Sequence, residues 1–387
     1  MMPILPSKTT PELDQLTIDV IGASAALGKG INALILKEIA RFMLKVNSYY
    51  TNAMEGNPSK LKDIEEALNR ILAQDKTARN YQLEHLAHIQ VQEAMIKRLQ
   101  EEPDLRICSE SFLRWLHEQF YLKLPDEMRF AKTMSGNLVP IEPGCLRRQG
   151  AAVGSHQCPE TEAEIKECLA RFEELLSPEN LAGPKKLLAM ASSHHRLLWI
   201  HPFSDGNGRA ARLFATAYGI KIGVCDNTLW TVTRSFARNR NEYDYHLALA
   251  DRAREHDWDG RGPLSEEGLT KFCAFFLESC KDQINYMDGV LSSVEFGRRY
   301  SRYIKSLMDE KQVSKSSAKV MERLLLQGEI KRSSVPDICR VKQRRASQII
   351  TEILKAGIVR SETPYGPLKL NISVDMANVL FPALAGE

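Results

Sequence analysis

The chain has 387 residues, 52 Lys and Arg against 49 Asp and Glu, a formal net charge of +3, and a hydrophobic fraction of 43%. That length accommodates about two or three domains. The composition is that of an ordinary globular protein, which excludes a polycation, a low-complexity chain and a fibrous repeat, so any affinity for nucleic acid must come from a local patch.

The N-terminal stretch carries Pro3, Pro6 and Pro11 and lacks the basic start and apolar core of a signal peptide. No apolar run approaches the roughly 20 residues that span a bilayer. The eight cysteines stand singly, without a Cys-x-x-Cys pair, which argues against a zinc ribbon or redox motif. They fit reduced thiols in a soluble cytoplasmic protein with no membrane partner.

Apolar residues at Ile31, Leu34, Ile35, Ile39, Phe42, Met43 and Val46 follow the helical period and predict a helix over 31–54, stopped by Gly56-Asn57-Pro58. Amphipathic patterns predict further helices over 62–73, 80–99 and 111–121. Between 133 and 158, glycines at 136, 144, 150 and 154 break the pattern into short extended pieces, a hairpin or flap. Helix resumes over 161–176, 184–200 and 209–220, so His201 opens a loop between two helices. Two more helices follow over 239–255 and 267–287, then a polar helical connector at 290–317. The last part reads as a helix over 318–326, a Ser333-Ser334 cap with a short helix to Arg340, a helix over 344–356 ended by Gly357, and a two-stranded wing over 358–372.

The run His201-Pro202-Phe203-Ser204-Asp205-Gly206-Asn207-Gly208-Arg209-Ala210-Ala211-Arg212 concentrates the parts of phosphate chemistry. Gly206 and Gly208 let the backbone turn and leave an approaching phosphate unobstructed, and the following helix points its free N–H groups at the loop. Arg209 and Arg212, three apart, can face one ligand. Asp205 is a hard oxygen ligand suited to Mg²⁺. A neutral His201 can take a proton from an attacking hydroxyl. Asn207 can either donate to a phosphate oxygen or hold the loop in shape. Taken singly, a His before Pro or a Gly-Asn-Gly is more often a structural feature.

In this order the run resembles the signature of the Fic family, His-Pro-Phe-x-Asp/Glu-Gly-Asn-Gly-Arg-x-x-Arg, at every specified position. The resemblance spans roughly 31–279. Pro143-Gly144 and Val153-Gly154-Ser155-His156 resemble the family's flap, which aligns a target polypeptide by strand pairing, and Asn239, Tyr243, Tyr245, Trp258 and 272–277 resemble its last helices. The resemblance implies AMP transfer from ATP to a Ser, Thr or Tyr hydroxyl of a target protein, possession of a Mg²⁺ cofactor, and a homodimer. His201 would be the base and Asp205 the Mg²⁺ ligand. Gly206, Asn207, Gly208 and Arg209 would cradle phosphates, and Arg212 would meet the γ-phosphate.

Earlier in the chain, Thr51 to Asn57 ends the first strong helix. A Glu at a helix C-terminus is usually solvated, yet the dipole there favours cations, so Glu55 gains from pairing with an arginine. The run resembles the Fic inhibitory motif, Ser/Thr-x-x-x-Glu-Gly/Asn, which implies that Thr51, Glu55 and Gly56 form a brake in which Glu55 takes Arg212 from the γ-phosphate. It also leaves open removal of AMP from a target, helped by the same glutamate.

Residues 311–370 hold 13 Lys and Arg against 5 Asp and Glu, and Lys342, Arg344 and Arg345 cluster where the longer helix begins. The order of elements resembles a winged helix-turn-helix, which makes those three residues candidate DNA contacts; dimerisation or target docking is the alternative. Tyr243 and Tyr245 are candidates to stack on adenine or to pack. His194 and His195 read as core, His85, His88 and His117 as structural or surface, and Trp199, Trp230 and Trp258 as core. The expected organisation is mainly α: a helical region 1–110 carrying the inhibitory helix at about 31–57, a Fic core 111–288, a connector 289–313 and a winged helix 314–387. A nucleotide-sensing DNA-binding regulator is the alternative function.

Overall fold

The computed structural model describes residues 2–132, 136–153, 156–225 and 228–384. The chain divides into two compact units, Met1–Ala25 with Asn47–Ile284, and Ala26–Val46 with Asn285–Glu387. Among the described residues no helix is long and apolar enough to cross a membrane.

The first unit is helical, with two small sheets. It begins with α1 (Pro11–Ala26), a helix for which no bounds were predicted within the helical region 1–110. Pro11 sits at the first helical position, where its missing N–H costs nothing and its fixed φ suits the helix. Helix α2 (Ala33–Met54) buries the predicted stripe at Ile35, Ile39, Phe42, Met43 and Val46; its earlier turns count with the second unit and its last turns with the first. Helix α3 (Leu61–Leu68) is shorter than the predicted 62–73, because the chain turns left-handed at Arg70 (φ 64°). Helix α4 (Lys76–Glu101) is capped by Asp75, and α5 (Glu110–Tyr121) by Ser109; such caps satisfy N–H groups that the first turn leaves free.

The glycine-rich stretch forms two antiparallel pairs, β1 (Phe130–Lys132) with β2 (Leu138–Pro140), and β3 (Ala152–Val153) with β4 (His156–Gln157). Helix α6 (Glu162–Leu176) opens with a Thr161–Glu164 capping box. Helix α7 (Lys185–Ile200) is buried from Leu187 to Leu197, and α8 (Asn207–Lys221) nearly as completely. Helices apolar on every side belong at the centre of a bundle, and these two pack on each other, with α4 and α5 against α8. Helices α9 (Val232–Arg238), α10 (Arg240–Asp251) and α11 (Glu266–Leu291) complete the unit; the short α9 had no counterpart in the sequence reading.

The second unit continues with α12 (Ser293–Asp309), α13 (Lys315–Gln327), β5 (Glu329–Ile330), α14 (Val335–Cys339), α15 (Gln343–Lys355), β6 (Val359–Arg360), β7 (Leu368–Leu370) and α16 (Val374–Leu380). The expected two-stranded wing gains a third strand, since the sheet order is β5-β7-β6, antiparallel throughout. Its core joins Val320, Met321 and Leu324 of α13 with Ile349 and Ile353 of α15 and Leu368 and Leu370 of β7. Residues from 26–46 belong to this core: Phe42 stacks on Phe381 with ring centroids 6.3 Å apart. Arg360 donates to both carboxylate oxygens of the buried Glu38 at 2.6 and 2.9 Å.

Candidate functional site

The site forms where α7 ends and α8 begins. His201 closes α7 in the left-handed region (φ 49°, ψ 59°), and its N–H still bonds to Leu197 O at 3.1 Å. A non-glycine residue holds that conformation only when its surroundings insist on it. Here Arg147, from the strand-linking strap before β3, supplies the constraint. Its guanidinium donates to the carbonyls of His201, Gln149 and Pro159, each at 2.6 Å, and of Ile200 at 3.3 Å, and its N–H bonds to Pro202 O at 2.9 Å. Burial, reinforced by the Arg147 charge, pushes the His201 imidazole down to about 4. The ring is neutral at physiological pH and able to accept a proton.

The turn is closed by Asn207, whose Oδ1 accepts from Phe203 N at 2.9 Å and whose Nδ2 donates to Phe203 O at 2.8 Å. These two bonds show Asn207 shaping the loop, and the second N–H of its Nδ2 is left over. Gly206 (φ 74°) precedes α8, and a Cβ there would meet the Tyr121 ring at 2.9 Å; only glycine fits both the conformation and the contact.

Asp205 faces Tyr121, whose hydroxyl donates to Asp205 Oδ2 at 2.9 Å, and Arg209 Nη2 lies 3.6 Å away. His117, four residues before Tyr121 on the same face of α5, is buried and stacks on Phe203 with centroids 4.0 Å apart. Its Nδ1 accepts from Gly144 N at 3.0 Å, so Nε2 carries the proton and donates to Asp205 O at 3.2 Å. Burial pushes His117 down to about 4, which keeps this neutral tautomer in place as a tie between the glycine-rich strap and the loop.

The two arginines are buried and differently occupied. Arg209 lies 3.7 Å from Glu84 and stands over the Phe120 ring at 4.6 Å. Arg212 donates from Nε to Thr51 Oγ1 at 2.6 Å, from Nη2 to Thr51 O at 3.2 Å, and from Nη2 to Glu55 Oε1. Burial pushes the Glu55 carboxyl up, but Arg212, Arg209 and Arg240 outweigh it and hold the carboxyl below its ordinary value. A Cβ on Gly208 would stand only 2.7 Å from Glu55 Oε1, so the carboxylate occupies the space directly over the loop backbone. Gly56 (φ 86°) ends α2 just beyond, and Asn57 ties that turn to α4 through Tyr81 O at 3.2 Å and Glu84 Oε2 at 3.0 Å.

Beside His201 opens a cavity of about 600 Å³ walled by Phe203 and Ser204 of the loop, Ala131 and Val139 of the first hairpin, and Leu146 to Ala152 of the strap. Val153 is 42% exposed; Gly154 lies outside the described residues.

Two expectations are corrected. The Tyr243 ring is buried, stacked on Phe236 at 4.5 Å, with its hydroxyl bonded to His194 Nε2 at 2.9 Å; it packs the core and offers no face to adenine. Trp258 is 95% exposed instead of core, because it sits in the loop after α10. Of the two readings open to His85 and His88, the structural one fits: both are fully inside, with Ser48 Oγ 3.1 Å from His85 Nδ1 and Gln92 Nε2 3.0 Å from His88 Nδ1. The sequence reading missed Arg147, Tyr121 and Glu84. The four-residue spacing of His117 and Tyr121 was its only available signal.

Residues 107–218 match the Fic/DOC family. The chain carries a Fic domain. Relatives of this domain include the protein adenylyltransferase Fic of Culex quinquefasciatus, 35% identical over 105 residues, which are 27% of this chain and 20% of that protein. Another is the protein adenylyltransferase Fic of Drosophila mojavensis, 32% identical over 108 residues, 28% and 21% of the two chains. The match thus spans about a fifth of those curated relatives. In fold, a Fic family protein from Desulfovibrio desulfuricans G20 is similar over 95% of this chain and 98% of its own, with a TM-score of 0.56 at 17% identity. Fic-1 from C. elegans is similar over 73% and 74% of the two chains, with a TM-score of 0.53 at 16% identity. The Fic domain holds α5 to α8, and with them His201, the loop after it and both arginines.

Proposed function

We propose that this chain is a protein adenylyltransferase held off by its own Glu55. A target hydroxyl entering from the cavity loses its proton to the neutral His201, its oxygen bonds to the α-phosphorus of ATP, and the bond from that phosphorus to the bridging oxygen breaks, releasing pyrophosphate. The loop N–H groups and Arg209 bind phosphate oxygens, and Arg212 binds the γ-phosphate. Asp205 fits a magnesium ion: Tyr121 takes Oδ2, leaving Oδ1 for an ion that needs one carboxylate plus phosphate oxygens. Such an ion neutralises phosphate charge when bound. The exposed Val153 strand would pair with the target.

The observation that carries this reading is the Glu55 carboxylate, which is bonded to Arg212 and stands over Gly208. It occupies both the cation and the backbone approach that a γ-phosphate would need. Arg212 also donates from Nε and Nη2 to Thr51, so the last turn of α2 would be the brake. The eight unpaired cysteines support action in the reducing cytoplasm. A homodimer is the assembly we expect, to be checked by light scattering.

The test is the fate of label from ATP with the Glu55→Gly variant. Label on the α-phosphate becomes covalent on protein, while label on the γ-phosphate does not. Covalent γ-label, or no label from either, overturns adenylyl transfer. Competition by GTP, UTP and CDP-choline then checks the donor.

A further inference from the structure

We propose that the second unit reads duplex DNA through α15, independently of the transferase reading. Helix α13, strand β5, helices α14 and α15, then β6 and β7, with the sheet ordered β5-β7-β6, are a helix-turn-helix followed by a wing. What points to DNA is the chemistry of the α15 solvent face. Ala346, Ile349, Ile350 and Ile353 are buried, while Gln343, Arg344, Ser347, Gln348 and Thr351 are exposed. Those five share one side by helical spacing, and Arg, Gln, Ser and Thr are types that hydrogen-bond base edges in the major groove. The only carboxylate on α15, Glu352, is turned away: it accepts from Ser314 N and from Ser317 Oγ, the latter at 2.8 Å, capping α13.

Around that face stand the exposed Arg340, Lys342, Arg344 and Arg345. None has an ion-pair partner among the described residues; Arg345 only donates to Gln348 Oε1 at 3.0 Å. In the same unit Arg360 pairs with Glu38 and Lys369 with Glu362. Four cations without an ion pair, beside a helix face free of carboxylates, suit a polyanion whose grooves admit a helix. The β6–β7 loop is braced, with Gly366 O accepting from Arg332 Nε and Ser361 Oγ, each at 3.0 Å. It presents Tyr365, 93% exposed.

The experiment is fluorescence anisotropy of the full chain with a labelled random duplex. Four phosphate contacts predict binding about 100-fold weaker at 200 mM than at 50 mM salt. Arg344→Glu with Arg345→Glu should weaken it at least tenfold at 50 mM with an unchanged circular dichroism spectrum. Lys97→Glu with Lys185→Glu, the same charge change elsewhere, should leave it within about twofold. Selection from a random duplex pool should enrich a motif, and Gln343→Ala with Gln348→Ala should erase the enrichment. Binding insensitive to the Arg344 and Arg345 reversal, no binding at 50 mM salt, or equal binding of heparin with no motif enriched, would each overturn the proposal.

Discussion

At the scale of single residues, the site depends on groups held in one protonation state by burial. His201 is pushed down to about 4, so it stays the neutral base over the whole physiological range. AMP transfer by Glu55→Gly should therefore be level from pH 8 to about 5 and be half lost near pH 4, as the ring gains its proton. Half-loss near 6.5, the value of free imidazole, would contradict the placement of that ring. Asp205 is oriented by the Tyr121 hydroxyl, and groups that orient a metal ligand typically contribute about tenfold or more in affinity. Tyr121→Phe should raise the half-saturating magnesium concentration by about that factor; an unchanged value would detach Tyr121 from the ion. That His201 opens a loop between two helices was legible from the sequence, because it follows from local order and spacing. Arg147 was not, since it acts by reaching four backbone carbonyls, some more than 50 positions away, and no spacing encodes that. Asn207 was legible as a choice of two roles, and its contacts with Phe203 show the loop-shaping one.

At the scale of elements, the last turn of α2 and the strap before β3 govern the loop from opposite sides. Thr51→Ala removes a hydrogen bond to a charged guanidinium, a contact of about 1.5–3 kcal/mol. It should release AMP transfer on the order of 10-fold while remaining below Glu55→Gly; no gain would place the whole brake on Glu55. Arg147→Lys keeps the charge but loses the planar fork. We expect it to lower kcat with little change in nucleotide affinity, because Arg147 touches the His201 end of the loop and no phosphate-binding residue. Equal losses in both would show general collapse of the loop. Helices α2, α5 and α7 were legible from their apolar period and caps, whereas α1 hid behind Pro11 and the Trp258 side chain was mistaken for core. A lone aromatic carries no period, so its side of the chain is decided by packing alone.

At the scale of the molecule, burial of neutral histidines sets the acid limit. His85, His117 and His201 are pushed to about 4 and His194 to about 3, each mainly by burial. The unfolded chain binds protons on these rings near 6.5 while the native state does not until about 4. Stability should hold above pH 6.5 and fall as pH drops toward 4. A lower thermal midpoint at pH 5 than at pH 7.5 is expected, and an equal or higher one would contradict it. The Glu55–Arg212 contact joins residues 157 positions apart, and it was legible only through the resemblance of two separate motifs. The most direct test of that contact as a brake is the intact mass of purified wild type, Glu55→Gly, and Glu55→Gly with His201→Ala after incubation with ATP and magnesium. Added AMP is expected on Glu55→Gly alone, with wild type and the double variant near background. Equal modification of wild type and Glu55→Gly would contradict it.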